Sequence, residues 1–215
     1  MFTLVFGTNN RKKGMELAEL LAPYNIEVHT LADFDKQLEV IEDGTTFLDN
    51  ARKKAVEQAT FLNAWVLGED SGLCVDALDG APGVISARFA ARSDHKNADD
   101  EDNNRLLLET LANVPLEKRT AHYTSVVVLS DPSGTVHGHA EGRCRGRILF
   151  EHSGEGGFGY DPLFEVVEYH RTFGTLPPIV KRAISHRARA VRKLVHLVNT
   201  SHVNTSHDPI FRSTR

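Results

Sequence analysis

Cysteine is scarce in this 215-residue sequence: Cys74 and Cys144 stand alone, without a CxxC pair. A disulfide-dense scaffold is thereby excluded, and both thiols are expected to stay reduced, as in the cytoplasm. Long apolar runs are missing too. None approaches the roughly 20 residues of a membrane-spanning helix, so no membrane partner is expected. The opening MFTLVFGTNN carries neither a basic n-region nor a small-residue cleavage site, which again points to the cytoplasm. Positive charge is not in excess either. With a net charge of −4 the chain has no overall field for a nucleic-acid polymer, and any phosphate affinity must be local. The G-x-x-x-x-G-K-[ST] signature is absent, so there is no P-loop.

What is present reads as an α/β protein. Thr3 to Phe6 has the pattern of a strand, and Arg11 to Leu21 the apolar spacing of a helix that Pro23 stops. A strand near Ile26 to Thr30, a helix near Thr46 to Leu62 and a buried strand Trp65 to Gly68 continue the alternation. The acidic stretch Asp94 to Asn104 leads into a helical run, Arg105 to Leu111. Tyr123 to Leu129 is the clearest central strand, and the turn SDPSG joins it to an antiparallel partner around Val136 to Arg147. After the breaker Pro177-Pro178, a last helix is expected over Ala183 to Val198. The sum is a mixed sheet flanked by helices, one domain over residues 1–198. Residues 199–215, with the tandem VNTSH, form a polar tail expected to be flexible and non-catalytic.

The stretch GTNNRKK sets Arg11, Lys12 and Lys13 directly behind a strand-to-helix turn. Backbone N–H groups of Thr8, Asn9 and Asn10, with those of the helix start, suit an anion there. A helix terminus contributes only about 0.3 to 1 kcal/mol, so the side-chain cations must supply most of the attraction. Lys13 is the expected contact, whereas Arg11 and Lys12 can equally well solvate the helix face.

Two carboxylates, Glu69 and Asp70, close the apolar run of the third strand, followed by Ser71. Adjacent strand residues point to opposite faces, so one can enter a site while the other meets solvent or an Arg. Upstream, Glu42 and Asp43 precede a glycine turn and a helix bearing Lys54. Carboxylates beside cations suggest phosphate held through Mg²⁺, a hard ion that accepts oxygen ligands; for Asp43 a turn role is the simpler reading. The loop GEGGFGYDPLF can present Phe158 and Tyr160 to a base, or send both into the core, the commoner outcome for such a hairpin. Ser185, His186 and Arg187 occupy the start of a helix, where cations are disfavoured unless a ligand's acceptors compensate. His137 and His139 share one strand face; with no third ligand in view, a solvated surface is preferred to a metal site.

Taken together, GTNNRKK, EDSGLCVDAL, GFGYDPLF and ISHR resemble, in order and spacing, the inosine/xanthosine triphosphate pyrophosphatases, from Thr3 to about Leu197. The resemblance implies an elongated α/β fold of two lobes with a central nucleotide cleft, a homodimer, Mg²⁺ as cofactor, and purine nucleoside triphosphates (ITP, dITP, XTP) as substrates. It assigns Glu42 and Asp70 to the metal, Asp70 also to proton acceptance, and Ser71 to a substrate contact. Thr8 to Lys13 and Lys54 fall on the phosphate side. Phe158, Gly159, Tyr160 and Asp161 match the base-and-sugar loop, Lys181 a lysine of the pattern, and His186-Arg187 the base-reading pair. Asn9 stands where the family usually has glycine, and asparagine tolerates left-handed backbone better than most residues. Gly174-Thr175 and Arg182 replace the more usual Ala-Glu and Asn. Two rivals remain: a related pyrophosphatase of modified pyrimidine nucleotides, which would lack ISHR, and a non-catalytic nucleotide sensor, which would lack Glu42 or Asp70.

Overall fold

The computed structural model describes residues 2–36, 38–91 and 98–201. Strand β1 (Phe2–Phe6) leads into helix α1 (Arg11–Leu21), as the apolar pattern predicts. Asn10 is the N-cap, and its side-chain oxygen accepts the Lys13 N–H at 3.1 Å, satisfying one of the donors a helix start leaves open. Strand β2 (Ile26–Thr30) follows a short turn at Pro23. Helix α2 (Phe47–Leu62) starts from Thr46, whose hydroxyl accepts the Asp49 N–H, and ends at Asn63 in left-handed backbone, φ 49°. Strand β3 (Val66–Val75) is longer than expected, because the apolar run ends at Gly68 but the strand continues through Glu69, Asp70 and Ser71.

Helix α3 (Asp100–Thr110) begins earlier than its apolar run. Asp99 caps it, and Asp100, Glu101 and Asp102 in the first turn suit the positive helix end. The residues 94–97 of the acidic stretch lie outside the described residues, as does the VNTSH repeat beyond Ser201. Strands β4 (Thr120–Ser130) and β5 (Val136–Ile148) are joined by a turn in which Asp131 Oδ1 accepts the N–H groups of Ser133 and Thr135. Strands β6 (Phe164–Val166) and β7 (Arg171–Thr172) are short. The single last helix expected from the sequence is two: α4 (Pro178–Ile184) and α5 (His186–Ser201), broken at Ser185 in extended backbone. Pro178 does not only stop what precedes it. It occupies the first turn of α4, where a missing N–H costs nothing.

The strands form one seven-stranded mixed sheet in the order β2-β1-β3-β4-β5-β6-β7. β1 is parallel to β2 and β3, and β6 antiparallel to β5 and β7. Two compact units are distinguished. The described residues through Asp70, Ser125–Gly142 and those from Arg187 onward form the first; Ser71–Thr124 and Arg143–His186 form the second. In the first unit, β4 is buried on both faces. Val127 and Leu129 join Leu4, Phe6, Leu17 and Leu194, while Val126 and Val128 meet Ala51 and Ala55 of α2. This is why the run SVVVL shows no polar alternation. The second unit is built around Leu73, Leu107, Tyr123, Ile148, Phe164 and Phe173.

Candidate active site

The candidate residues fall into two groups, one in each unit. In the first unit, consecutive residues of β3 serve opposite faces. Glu69, only 3% exposed, accepts from Ser125 Oγ at 2.8 Å and from Arg187 through Nε at 2.8 Å and Nη2 at 3.2 Å. Lys13 Nζ lies 3.3 Å from the same carboxylate, and Arg187 also holds Glu16. Burial opposes the charge on Arg187, but Glu69 and Glu16 outweigh it and raise the guanidinium's pKa. On Lys13 burial prevails over Glu69, and the ammonium's pKa is lowered.

Asp70 faces α2. Its Oδ2 accepts from Asn50 Nδ2 at 3.1 Å and its Oδ1 from Lys54 Nζ at 3.2 Å; Lys54 reaches Glu42 Oε2 at 2.9 Å. Two carboxylates thus converge on one ammonium. Burial raises the Asp70 carboxyl, a push that Lys54 opposes and Glu42 reinforces. For Lys54, burial works against the charge, yet Asp70 and Glu42 together raise its pKa. Helix α2 can present Asn50 and Lys54 at this distance because residue 68 is glycine. A Cβ there would lie 2.3 Å from the Ala51 carbonyl oxygen and 2.5 Å from the Ala55 nitrogen. Asn50 makes a second bond through its Oδ1, which accepts the Gly44 N–H at 2.8 Å and ties the Glu42 loop to the Asp70 side.

In the first loop, Thr8 Oγ1 accepts the Asn10 N–H. Arg11 and Lys12 are exposed on α1, whereas Lys13 is half-buried. Among the described residues, the non-glycine positions with left-handed backbone are Asn25, Asn63, Asp79 and His170, so Asn9 needs no such geometry. Asp43 is paired with Lys53 at 2.7 Å. His137 bonds Asp131 at 2.7 Å, and its ring lies against Trp65, centroids 4.6 Å apart. No group of three His, Cys, Asp or Glu side chains suited to a metal occurs among the described residues. Mg²⁺ does not require one, since one or two protein carboxylates suffice when water and phosphate complete the shell. Glu42 and Asp70, already gathered around one cation, are such a donor set.

In the second unit, the two aromatics of the glycine-rich loop part ways. Tyr160 enters the core and donates its hydroxyl to the Ser86 carbonyl at 2.8 Å; Phe158 is half-buried. Asp161 Oδ2 accepts the Phe158 N–H at 2.9 Å and Lys181 Nζ at 2.7 Å, and that ammonium lies 4.7 Å from the Phe158 ring centroid. His186, 6% exposed, stacks on Tyr123 with centroids 4.7 Å apart and planes 11° from parallel. Ser71 follows Asp70 on β3 and is half-buried. Sequence reasoning passed over Asn50, Asn104 and the hub role of Glu69. Both asparagines lie on the buried face of their helix, beside Ala51 and Ala55 in α2 and beside Leu107 in α3, and an asparagine at an inward helical position is the signal that marks them.

The Ham1 family profile matches residues 4–197, the stretch over which the four motifs run. The dITP/XTP pyrophosphatase of Rhodopirellula baltica is 52% identical over 195 residues, covering 91% of this chain and 92% of the relative. That of Desulforamulus reducens is 49% identical over 201 residues, covering 94% and 98%. Among solved structures, a HAM1 protein from Coxiella burnetii superposes with a TM-score of 0.79 at 35% identity, covering 90% of this chain and 96% of that one. A nucleoside-triphosphatase / dITP/XTP pyrophosphatase from Mycobacterium abscessus does so with a TM-score of 0.71 at 38% identity, covering 90% and 98%.

Proposed function

The chain belongs to the Ham1 family, and on that premise we propose that it hydrolyses dITP, ITP and XTP to the nucleoside monophosphate and pyrophosphate. The observation that carries this reading is the convergence of Glu42 and Asp70 on Lys54. Anionic and cationic groups within bonding distance of one point make a place where a metal and phosphate oxygens can be held together. Glu42 and Asp70 would hold Mg²⁺, which when bound neutralises phosphate charge and acidifies water.

Asp70 takes the proton of the attacking water. The water oxygen bonds to the α-phosphorus as the bond from that phosphorus to the bridging oxygen breaks, and pyrophosphate leaves. A carboxyl raised by burial is the stronger base for this proton transfer. Thr8 to Lys13 and Lys54 meet the phosphates, and Ser71 a further substrate atom. Phe158 stacks on the base, with Gly159, Tyr160, Asp161 and Lys181 shaping its surroundings. His186 and Arg187 donate to the C6 oxygen, an acceptor that adenine replaces with an amino donor. Glu69 and Glu16 hold the guanidinium in place for that role. The same reading includes the two-lobed form with a central nucleotide cleft, a homodimer, a cytoplasmic setting, and residues 199–215 as a tail outside catalysis.

Initial rates on dITP, XTP, ITP, ATP and GTP, with and without Mg²⁺, test the reading. Deaminated purines should be preferred, and activity should vanish with chelation. Equal rates on ATP, or turnover in excess chelator, would overturn it.

A further inference from the structure

We infer that Asp100 and Asn104 of α3 are positioning residues that clamp the Gly159 peptide and thereby set the Phe158 ring for the base. The inference rests on the assignment of this loop to base binding. Asp100 Oδ2 accepts the Gly159 N–H at 2.7 Å, and Asn104 Nδ2 donates to the Gly159 carbonyl at 3.0 Å. The two residues are four apart and share a helix face, so one turn of α3 grips both polar groups of one residue. Gly159 has a φ of 62°, and among the described residues nothing lies within 4 Å of where its Cβ would be. Glycine is needed there for its backbone conformation, not for space, and the clamp holds that conformation.

The neighbours are fixed from other directions: Phe158 by the carboxylate of Asp161, Tyr160 by the Ser86 carbonyl. Asn104 is an expensive way to stabilise a helix. It is 2% exposed on the face that carries Leu107 and Leu111, and its Oδ1 has no hydrogen-bond partner among the described residues. Burying half an amide unsatisfied is unfavourable, and an apolar side chain would suit the core better. What the amide does supply is the bond to Gly159. Its distance in sequence, 55 residues, matches a contact made for the loop rather than for the helix.

Kinetics of the full chain with dITP, alongside inhibition by inorganic tripolyphosphate, separate this role from general damage, because tripolyphosphate carries phosphates and no base. Asp100 is exposed, so Asp100→Ala should fold normally. It should raise KM for dITP about 10-fold, in keeping with partial loss of stacking. The inhibition constant of tripolyphosphate should stay within about 2-fold, since phosphate contacts are untouched. Asp100→Asn keeps an acceptor for the Gly159 N–H and should recover most of the affinity. Asn104→Asp sets a carboxylate against the Gly159 carbonyl and should be worse than Asn104→Ala. An unchanged KM in Asp100→Ala, or a rise in KM matched by the tripolyphosphate constant, would overturn the clamp while leaving the proposed activity standing. No dITP turnover by the unaltered chain would overturn both.

Discussion

Arg187 donates from Nε to Glu69 Oε1 at 2.8 Å, and both side chains are almost wholly shielded from solvent. The pair joins the start of α5 to the middle of β3, and Ser125 and Lys13 also contact the carboxylate. Removing one partner leaves the other charge buried. Arg187→Ala is therefore expected to destabilise the fold by about 3 to 5 kcal/mol. Glu69→Gln combined with Arg187→Met should cost less than the sum of the two single changes. Urea denaturation of the four proteins decides it, and strict additivity would contradict the coupling. Because stability falls as well, lost activity in Arg187→Ala is not diagnostic of a base contact. The diagnostic quantity is the ratio of kcat/KM for ITP over ATP, which should narrow.

Gly68→Ala tests how α2 is placed. The added methyl would meet the Ala51 carbonyl and the backbone of Ala55, neither of which can rotate away. Overpacking of this kind costs about 1 to 3 kcal/mol, and the helix can relieve it only by carrying Asn50 and Lys54 away from Asp70. A lower Tm and a drop in kcat of about 10-fold or more are expected, as for a small misplacement of reacting groups. Normal kcat with a lowered Tm would mean that the site tolerates the shift.

The β4–β5 turn should make acid stability depend on Asp131. Its carboxyl is held at about 2, below the ordinary 3.8, first by His137 and then by Ser133, with burial working against them and the Ser133 and Thr135 N–H groups adding to the depression. A depressed carboxyl contributes stability above its ordinary value and loses it as pH falls toward the folded value. Asp131→Asn should thus lower Tm at pH 7, and the gap from the unaltered chain should close between about pH 4 and pH 2. A gap that persists unchanged at pH 2 would rule out this origin.

Helix α1 was legible to the residue, because its N-cap, its inward leucines and Pro23 are local signals. The polar half of β3 was not. Whether Glu69 can lie buried in a strand depends on Arg187, 118 residues away, and no local pattern reports that. The break at Ser185 was hidden for a similar reason, since ISHR continues the helical spacing and only the backbone of Ser185 departs from it. In the candidate site, charged residues stood out by their motifs. Asn50 carries no charge, and its two bonds, to Asp70 and to the Gly44 N–H, show only once α2 is placed on β3.

The proposed chemistry turns on Asp70 as the group that carries a bound triphosphate through to pyrophosphate. Single-turnover product analysis with dITP, comparing the unaltered chain with Asp70→Asn, tests it most directly. The unaltered chain should release dIMP and pyrophosphate in equal amounts. Asp70→Asn should keep a folded Tm and bind dITP while slowing turnover by about 100-fold or more, having lost a base and a negative charge together. Orthophosphate as the first product, or near-normal turnover by Asp70→Asn, would contradict that role.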